Sequence, residues 1–323
     1  MTKHAVQTGL SSKTILILVL ISAIPRIILA LLNSEVNDDH ITTVLLWYQN
    51  GEFPSARDCW ECFQPPLFYF IVKIFSTVAG SVTYENVFNV IQSFNLLISI
   101  GIAWLSIIFI SRLQLNRFLS ISLALFWVLN PELISIGVLV TNDSLVILLG
   151  ILFSLKFLDY LDYGQWQKEV VLSFLLFLLG ITKGNGLLFI GIAPIVILIK
   201  TIYTKQFLTL ATLRKFTLLV TTVVAIAYSG LYIEKYQEFN NPFITNVNPP
   251  YEKAKWDTPG TFKFRKGVNT IKETLFSFPI FSLIQTPYNL NEVENNQLTD
   301  ETYGRRCLVS LQITFLKGTL LVG

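Results

Sequence analysis

Gln64-Pro65-Pro66-Leu67-Phe68-Tyr69-Phe70-Ile71-Val72-Lys73-Ile74-Phe75-Ser76-Thr77-Val78-Ala79-Gly80 is the stretch on which the threading of this chain turns. It is apolar enough to be taken for a membrane span. It opens on Pro65-Pro66, however, and carries Lys73 in its interior. Proline is tolerated in the first turn of a helix, and a cation on an otherwise apolar helix suits a segment lying along a membrane interface. Charge favours the same answer, because Lys and Arg in short loops stay on the cytoplasmic side. Lys3 and Lys13 put the N-terminus inside. If 65–80 spanned, Arg112, Arg117, Lys200, Lys205, Arg214 and Lys215 would all face outward. If it lies in the interface as a juxtamembrane helix, all of them fall inside.

The composition requires a membrane. The chain has 323 residues, 52% hydrophobic and 14% charged, with mean hydropathy +0.57. Soluble domains carry about 25% charged residues. The net charge of +3 is too small to argue for nucleic acid, and no basic cluster interleaved with aromatics stands out. Of the three cysteines, Cys59 and Cys62 form a C-x-x-C with no second pair or His cluster to complete a zinc site. They read as incidental thiols or a local disulfide.

The apolar runs 14–32, 86–110, 118–140, 144–158, 167–182, 184–203 and 216–233 then become the expected spans. The first is not a signal peptide, since no small-residue cleavage site follows it and further spans do. The fold class is an all-α polytopic membrane protein of about seven transmembrane helices, with juxtamembrane helices in the first outer loop. The membrane domain covers 1–235, with its outer loop at 33–85. Residues 236–323 form a polar extracytoplasmic segment that could lead to further spans.

With this threading, the polar groups at helix ends gather on the outer face: Asp38, Asp39, Glu61, Gln64, Asn142, Asp143 and Lys183. The charge rule did not require that convergence. A lone Asp at a helix end is usually a solvated or capping group, but several carboxylates together could act as a general base or bind a divalent cation through Asp38 and Asp143. Asn142 or Asp143 would cap the 144–158 helix whether or not it has another role. Lys183 is either a snorkelling lysine or, beside Gly184-Asn185-Gly186, a phosphate ligand. Arg26 lies about 10 Å inside the outer end of its span. A charge at such depth snorkels or faces a cavity or partner, and a lipid-borne phosphate would suit it.

The order of these pieces resembles the glycosyltransferase-C superfamily, nearest to protein O-mannosyltransferases and lipid A aminoarabinose transferases. The resemblance covers about 1–235 and rests on Asp38-Asp39, Asn50-Gly51-Glu52-Phe53-Pro54, Gln64-Pro65-Pro66-Leu67-Phe68-Tyr69, Thr141-Asn142-Asp143 and Thr182-Lys183-Gly184-Asn185-Gly186. It implies a polyprenyl- or dolichyl-phosphate sugar as donor and a protein, lipid or glycan hydroxyl as acceptor. It implies Asp38 as general base or organiser of a divalent metal, Asp39 at the family's Glu position, and Asp143 as a second acidic group near the donor phosphate. Lys183 and Arg26 would neutralise that phosphate, by electrostatics rather than by a matched motif. The family often has His or Lys where Gln64 stands, and relatives commonly carry further spans, so a short form, fragment or split product is also expected. The implied location is a bacterial or archaeal cell membrane, or the endoplasmic reticulum of a eukaryote, with the site facing away from the cytoplasm. A transporter or flippase, and a non-catalytic membrane subunit, are the rival classes.

Overall fold

The computed structural model describes residues 10–33, 40–59, 61–113, 115–163, 166–204 and 209–243. Asp38, Asp39 and the segment 244–323 lie outside the described residues. Within them the chain is all helix. In order, the helices are α1 (Ser12–Leu32), α2 (His40–Asn50), α3 (Leu67–Val78), α4 (Tyr84–Ser111), α5 (Arg117–Val128), α6 (Pro131–Ile136), α7 (Asp143–Tyr163), α8 (Trp166–Thr182), α9 (Leu187–Thr204), α10 (Leu210–Ser229) and α11 (Tyr232–Phe239). A single 3-10 turn, Gly184–Gly186, joins α8 to α9.

α1 and α4 are long and apolar enough to cross a membrane. A third such span results only if α10 and α11, bent by 58° at Gly230-Leu231, are taken as one. The eight residues of α11 include Glu234, Lys235 and Glu238, and it packs on the polar loop after α2, so we place it outside the apolar layer.

α1 is built inside out. Its buried positions are Leu18, Ser22, Arg26 and Ala30, spaced by four along one stripe, and two of them are polar. The rest of its surface is apolar and open, with Leu31 82% exposed. α4 repeats the pattern, burying Asn95, Ser99 and Ser106 while exposing Leu97 and Trp104. In water this arrangement would be penalised. In lipid, tails cover the apolar surface and polar groups must find each other inside.

Hydrogen bonds fix the relative directions. Near one end of the bundle, Gln92 Nε2 donates to the Asn33 carbonyl over 2.7 Å and Asn33 Nδ2 to the Val138 carbonyl over 3.0 Å. Asn95 Nδ2 donates to the carbonyls of Leu139 and Thr141, and Ser144 Oγ donates to Asn95 Oδ1. At the opposite end, Arg112 meets Asp159. α1 therefore runs against α4, and α4 runs with α7.

α3, where a juxtamembrane helix over 65–80 was expected, has 12 residues and reaches only about 18 Å, well short of a hydrocarbon core. It buries Phe68, Tyr69, Val72 and Ser76 and packs with α2 on the first turns of α4, around Ile41, Val44, Val87 and Ile91. The expected continuous span over 118–140 is not continuous. It is α5 followed by α6, because Asn130 caps the second helix by accepting from Glu132 N over 2.9 Å and Pro131 sits in its first turn. The 216–233 run also ends early, at Ser229, and Leu231 takes a left-handed φ of 61° to start α11. The boundary expected at 235 falls inside that helix.

Candidate functional site

The α7 N-terminus carries the most unusual polar group in the molecule. Asn142 is fully buried, and neither its Nδ2 nor its Oδ1 has a hydrogen-bond partner. A buried amide without partners costs on the order of 1–3 kcal/mol. It does not cap α7. Thr141 serves the first free N–H, its Oγ1 accepting from Asp143 N over 3.2 Å.

Asp143 is held from two sides. Lys183 Nζ donates to its Oδ1 over 2.5 Å and Thr141 Oγ1 to its Oδ2 over 3.0 Å. Burial pushes this carboxyl up. The Lys183 charge and hydrogen bond, the Thr141 hydroxyl and the charge of His40 pull it back, and the net result is a carboxyl below its usual range. Lys183 reaches Asp143 because α8 ends at Thr182 and the chain turns tightly through Gly184–Gly186. Gly186 is required there, since a Cβ would collide with the Leu179 carbonyl. Its presence is thus explained by packing.

A second polar group comes from the loop between α2 and α3. Glu61 and Gln64 are both buried, and Gln64 Nε2 donates to Glu61 Oε2 over 3.1 Å. The Tyr69 hydroxyl donates to the Glu61 carbonyl over 3.3 Å and lies 2.8 Å from His40 Nδ1. A phenol has one proton, so His40 Nδ1 is the donor in that contact. Cys59 and Cys62 are joined in a disulfide, the second of the two states the spacing left open. That bond closes the loop around Glu61.

The two groups meet through packing. Leu67, which opens α3, lies in the same apolar cluster as Ile181 at the end of α8 and Tyr232 at the start of α11. The Tyr232 hydroxyl donates to the Gly180 carbonyl over 2.9 Å. Glu61, Gln64, Asn142, Asp143 and Lys183 therefore occupy one end of the bundle. Asp38 and Asp39, immediately before His40 in the chain, lie outside the described residues.

Arg26 is placed differently. It is 0% exposed, inside the helix packing. Its Nε donates to Ser99 Oγ over 2.7 Å and its Nη1 to the carbonyls of Ser22 and Val128, while Nη2 has no partner. It pins α1 to α4 and to the end of α5. Among the described residues no group of three or more His, Cys, Asp or Glu converges as a metal site. Asp143, the expected ligand among them, has both oxygens engaged by Lys183 and Thr141.

The sequence did not single out His40 or Tyr69, although Tyr69 ends a quoted motif and His40 directly follows Asp38-Asp39. It also passed over Lys235, buried in α11 among residues that read as a polar tail. No protein-family model, no curated protein and no solved structure matches this chain.

Proposed function

We propose that the chain is an integral-membrane glycosyltransferase that moves a sugar from a polyprenyl- or dolichyl-phosphate donor to an acceptor hydroxyl on the extracytoplasmic face. In this proposal seven passes cross the bilayer, with 118–140 crossing as the broken pair α5 and α6. The observation that carries it is Asn142, buried with both polar atoms unpaired beside the Asp143–Lys183 ion pair. A buried amide without protein partners calls for a water, an ion or a ligand to supply them, and a ligand is the reading taken in this proposal. The rest is supported by the motif resemblance.

The chemistry is a single displacement at the anomeric carbon. The acceptor oxygen forms the new glycosidic bond, the bond from that carbon to the phosphate oxygen breaks, and the lipid phosphate leaves with the electron pair. The acceptor proton passes to Asp38, with Asp39 beside it. Negative charge grows on the leaving phosphate, so a fixed cation near it stabilises the transition state. Lys183 supplies that cation, and Asp143 keeps it aimed. Asn142, Glu61 and Gln64 bind the hydroxyls of the sugar and acceptor.

Arg26 gives a transporter one supporting observation, because a buried charge facing other helices is also expected along a transport path. One assay separates the classes. Purified protein is given several polyprenyl-phosphate sugars and an acceptor extract, and release of lipid phosphate is followed. Transfer that Asp38→Asn abolishes in a folded protein supports the proposal. Full activity in that variant removes Asp38 as base. No release with any donor, together with donor movement across a vesicle bilayer, favours transport.

A further inference from the structure

A cavity of about 320 Å³ lies between the loop after α2 and α11. Its lining includes Glu52, Asp58, Glu234 and Glu238, with Lys235 among them. Two of the carboxylates are engaged. Glu238 pairs with Arg57 at 2.8 Å, and Asp58 Oδ2 accepts from Ser55 N over 2.7 Å. Glu52 and Glu234 are exposed and make no ion pair among the described residues.

Lys235 is the opposite case. It is 5% exposed and has neither a hydrogen bond nor an ion pair among the described residues. Its ammonium meets only the Tyr232 ring, 5.0 Å from the centroid. Burying a cation without an anion is expensive. Desolvation accordingly pushes the Lys235 amine down to about 8, partly offset by the charge of Glu234.

The cavity thus joins one buried amine to a surplus of exposed carboxylates. A simple anion meets the carboxylates and is repelled. A simple cation pairs with the carboxylates but leaves Lys235 without an anion. A group that carries both signs a few ångströms apart satisfies both. The cavity also sits just past Ser229, where the apolar run of α10 ends.

We propose that this cavity binds an aminoalkyl phosphate of the phosphoethanolamine type, its phosphate oxygens on Lys235 and its ammonium on Glu52 and Glu234. The source is either a phospholipid headgroup or a soluble phosphodiester. The inference is independent of glycosyl transfer, because it is read by binding alone.

Calorimetry on the full chain in a detergent free of phosphoethanolamine tests the soluble source, with glycerophosphoethanolamine, glycerol phosphate and ethanolamine as probes. Nanodiscs of phosphatidylethanolamine against phosphatidylglycerol test the lipid source, read by protection of Lys235 from an amine-reactive label. The expected result is binding of the zwitterion at least tenfold tighter than of either half, or protection by the ethanolamine lipid alone. Lys235→Gln and the exposed double variant Glu52→Gln/Glu234→Gln should each weaken binding at least tenfold. The double variant keeps the test open if Lys235→Gln does not fold. Neither probe binding to folded wild type overturns the proposal. So does binding unchanged in both variants, and so does equal binding of glycerol phosphate, which would make this a plain anion site.

Discussion

The two ends of the helix bundle use the same kinds of residue to opposite effect. At the Arg112 end, several charges are paired, while Lys215 faces the Tyr160 ring. Arg112 meets Asp159 at 2.6 Å, Arg214 meets Glu169 at 2.7 Å, and Lys168 donates to the Asp159 carbonyl. The Arg112–Asp159 pair is solvent-exposed and worth little beyond tying helix ends together, while Glu169 is buried at its contact with Arg214. At the Asp143 end, Asn142 has no partner, Lys235 has only a ring, and the Asp143–Lys183 pair adjoins the first of these. Unspent hydrogen-bonding capacity, rather than charge itself, is what distinguishes the Asp143 end from the Arg112 end, and under the proposed function that is the end that binds.

Activity is where the contrast should be widest. Lys183→Gln should lower lipid-phosphate release by about 10²–10³-fold, the usual effect of removing a fixed transition-state cation. Arg112→Gln, measured in the same assay, should leave it within about twofold. Equal losses in both would show that the ends are not functionally distinct.

Lys235 should give the next largest effect, seen in stability against pH. Its folded pKa of about 8 lies below the usual 10.5. Between those values the unfolded chain binds more protons, so folding is favoured as pH rises. Unfolding of wild type in detergent should gain up to about 3 kcal/mol from pH 8 to 10.5 relative to Lys235→Met. Parallel curves would mean that Lys235 is already paired. The rim groups facing Lys235, namely Glu52, Asp58, Glu234 and Glu238, are common to the two proteins.

Asn142→Leu should raise stability by about 1–2 kcal/mol in thermal unfolding, because it replaces two unpaired buried atoms with apolar ones of similar size. The same variant should lose activity. A destabilised Asn142→Leu would mean that its amide is bonded after all. The smallest effect belongs to Arg112→Ala, at less than about 1 kcal/mol, and a larger loss would make that end more than a surface clasp.

Much of this was readable before the helices were seen. The runs 14–32 and 86–110 became α1 and α4 within two residues at each end, because long apolar stretches leave no competing choice. Pro65-Pro66 marked where α3 begins. Hydropathy hid the break at Asn130-Pro131, since a cap and a proline barely change a window average over apolar residues. The sequence could gather Glu61, Gln64, Asn142, Asp143 and Lys183 at one end, but not their pairings. Those depend on side-chain directions fixed by α3 against α8, contacts far apart in the chain. Lys235 was illegible for a similar reason. An eight-residue helix is too short for its period to stand out, and the cavity beside the lysine is closed by the loop after α2, far earlier in the chain.

The four-residue spacing of Leu18, Ser22, Arg26 and Ala30 makes α1 tolerant in one respect and brittle in another. Its outward side has to be oily and little more, so Leu, Ile, Val and Phe are nearly interchangeable there. A single residue inserted after Ser22 is a different matter. It would turn everything beyond it by about 100°, carry the guanidinium away from Ser99 and Val128, and aim it at the hydrocarbon. The helix would be no less greasy and no shorter, yet it would be a poor one to insert.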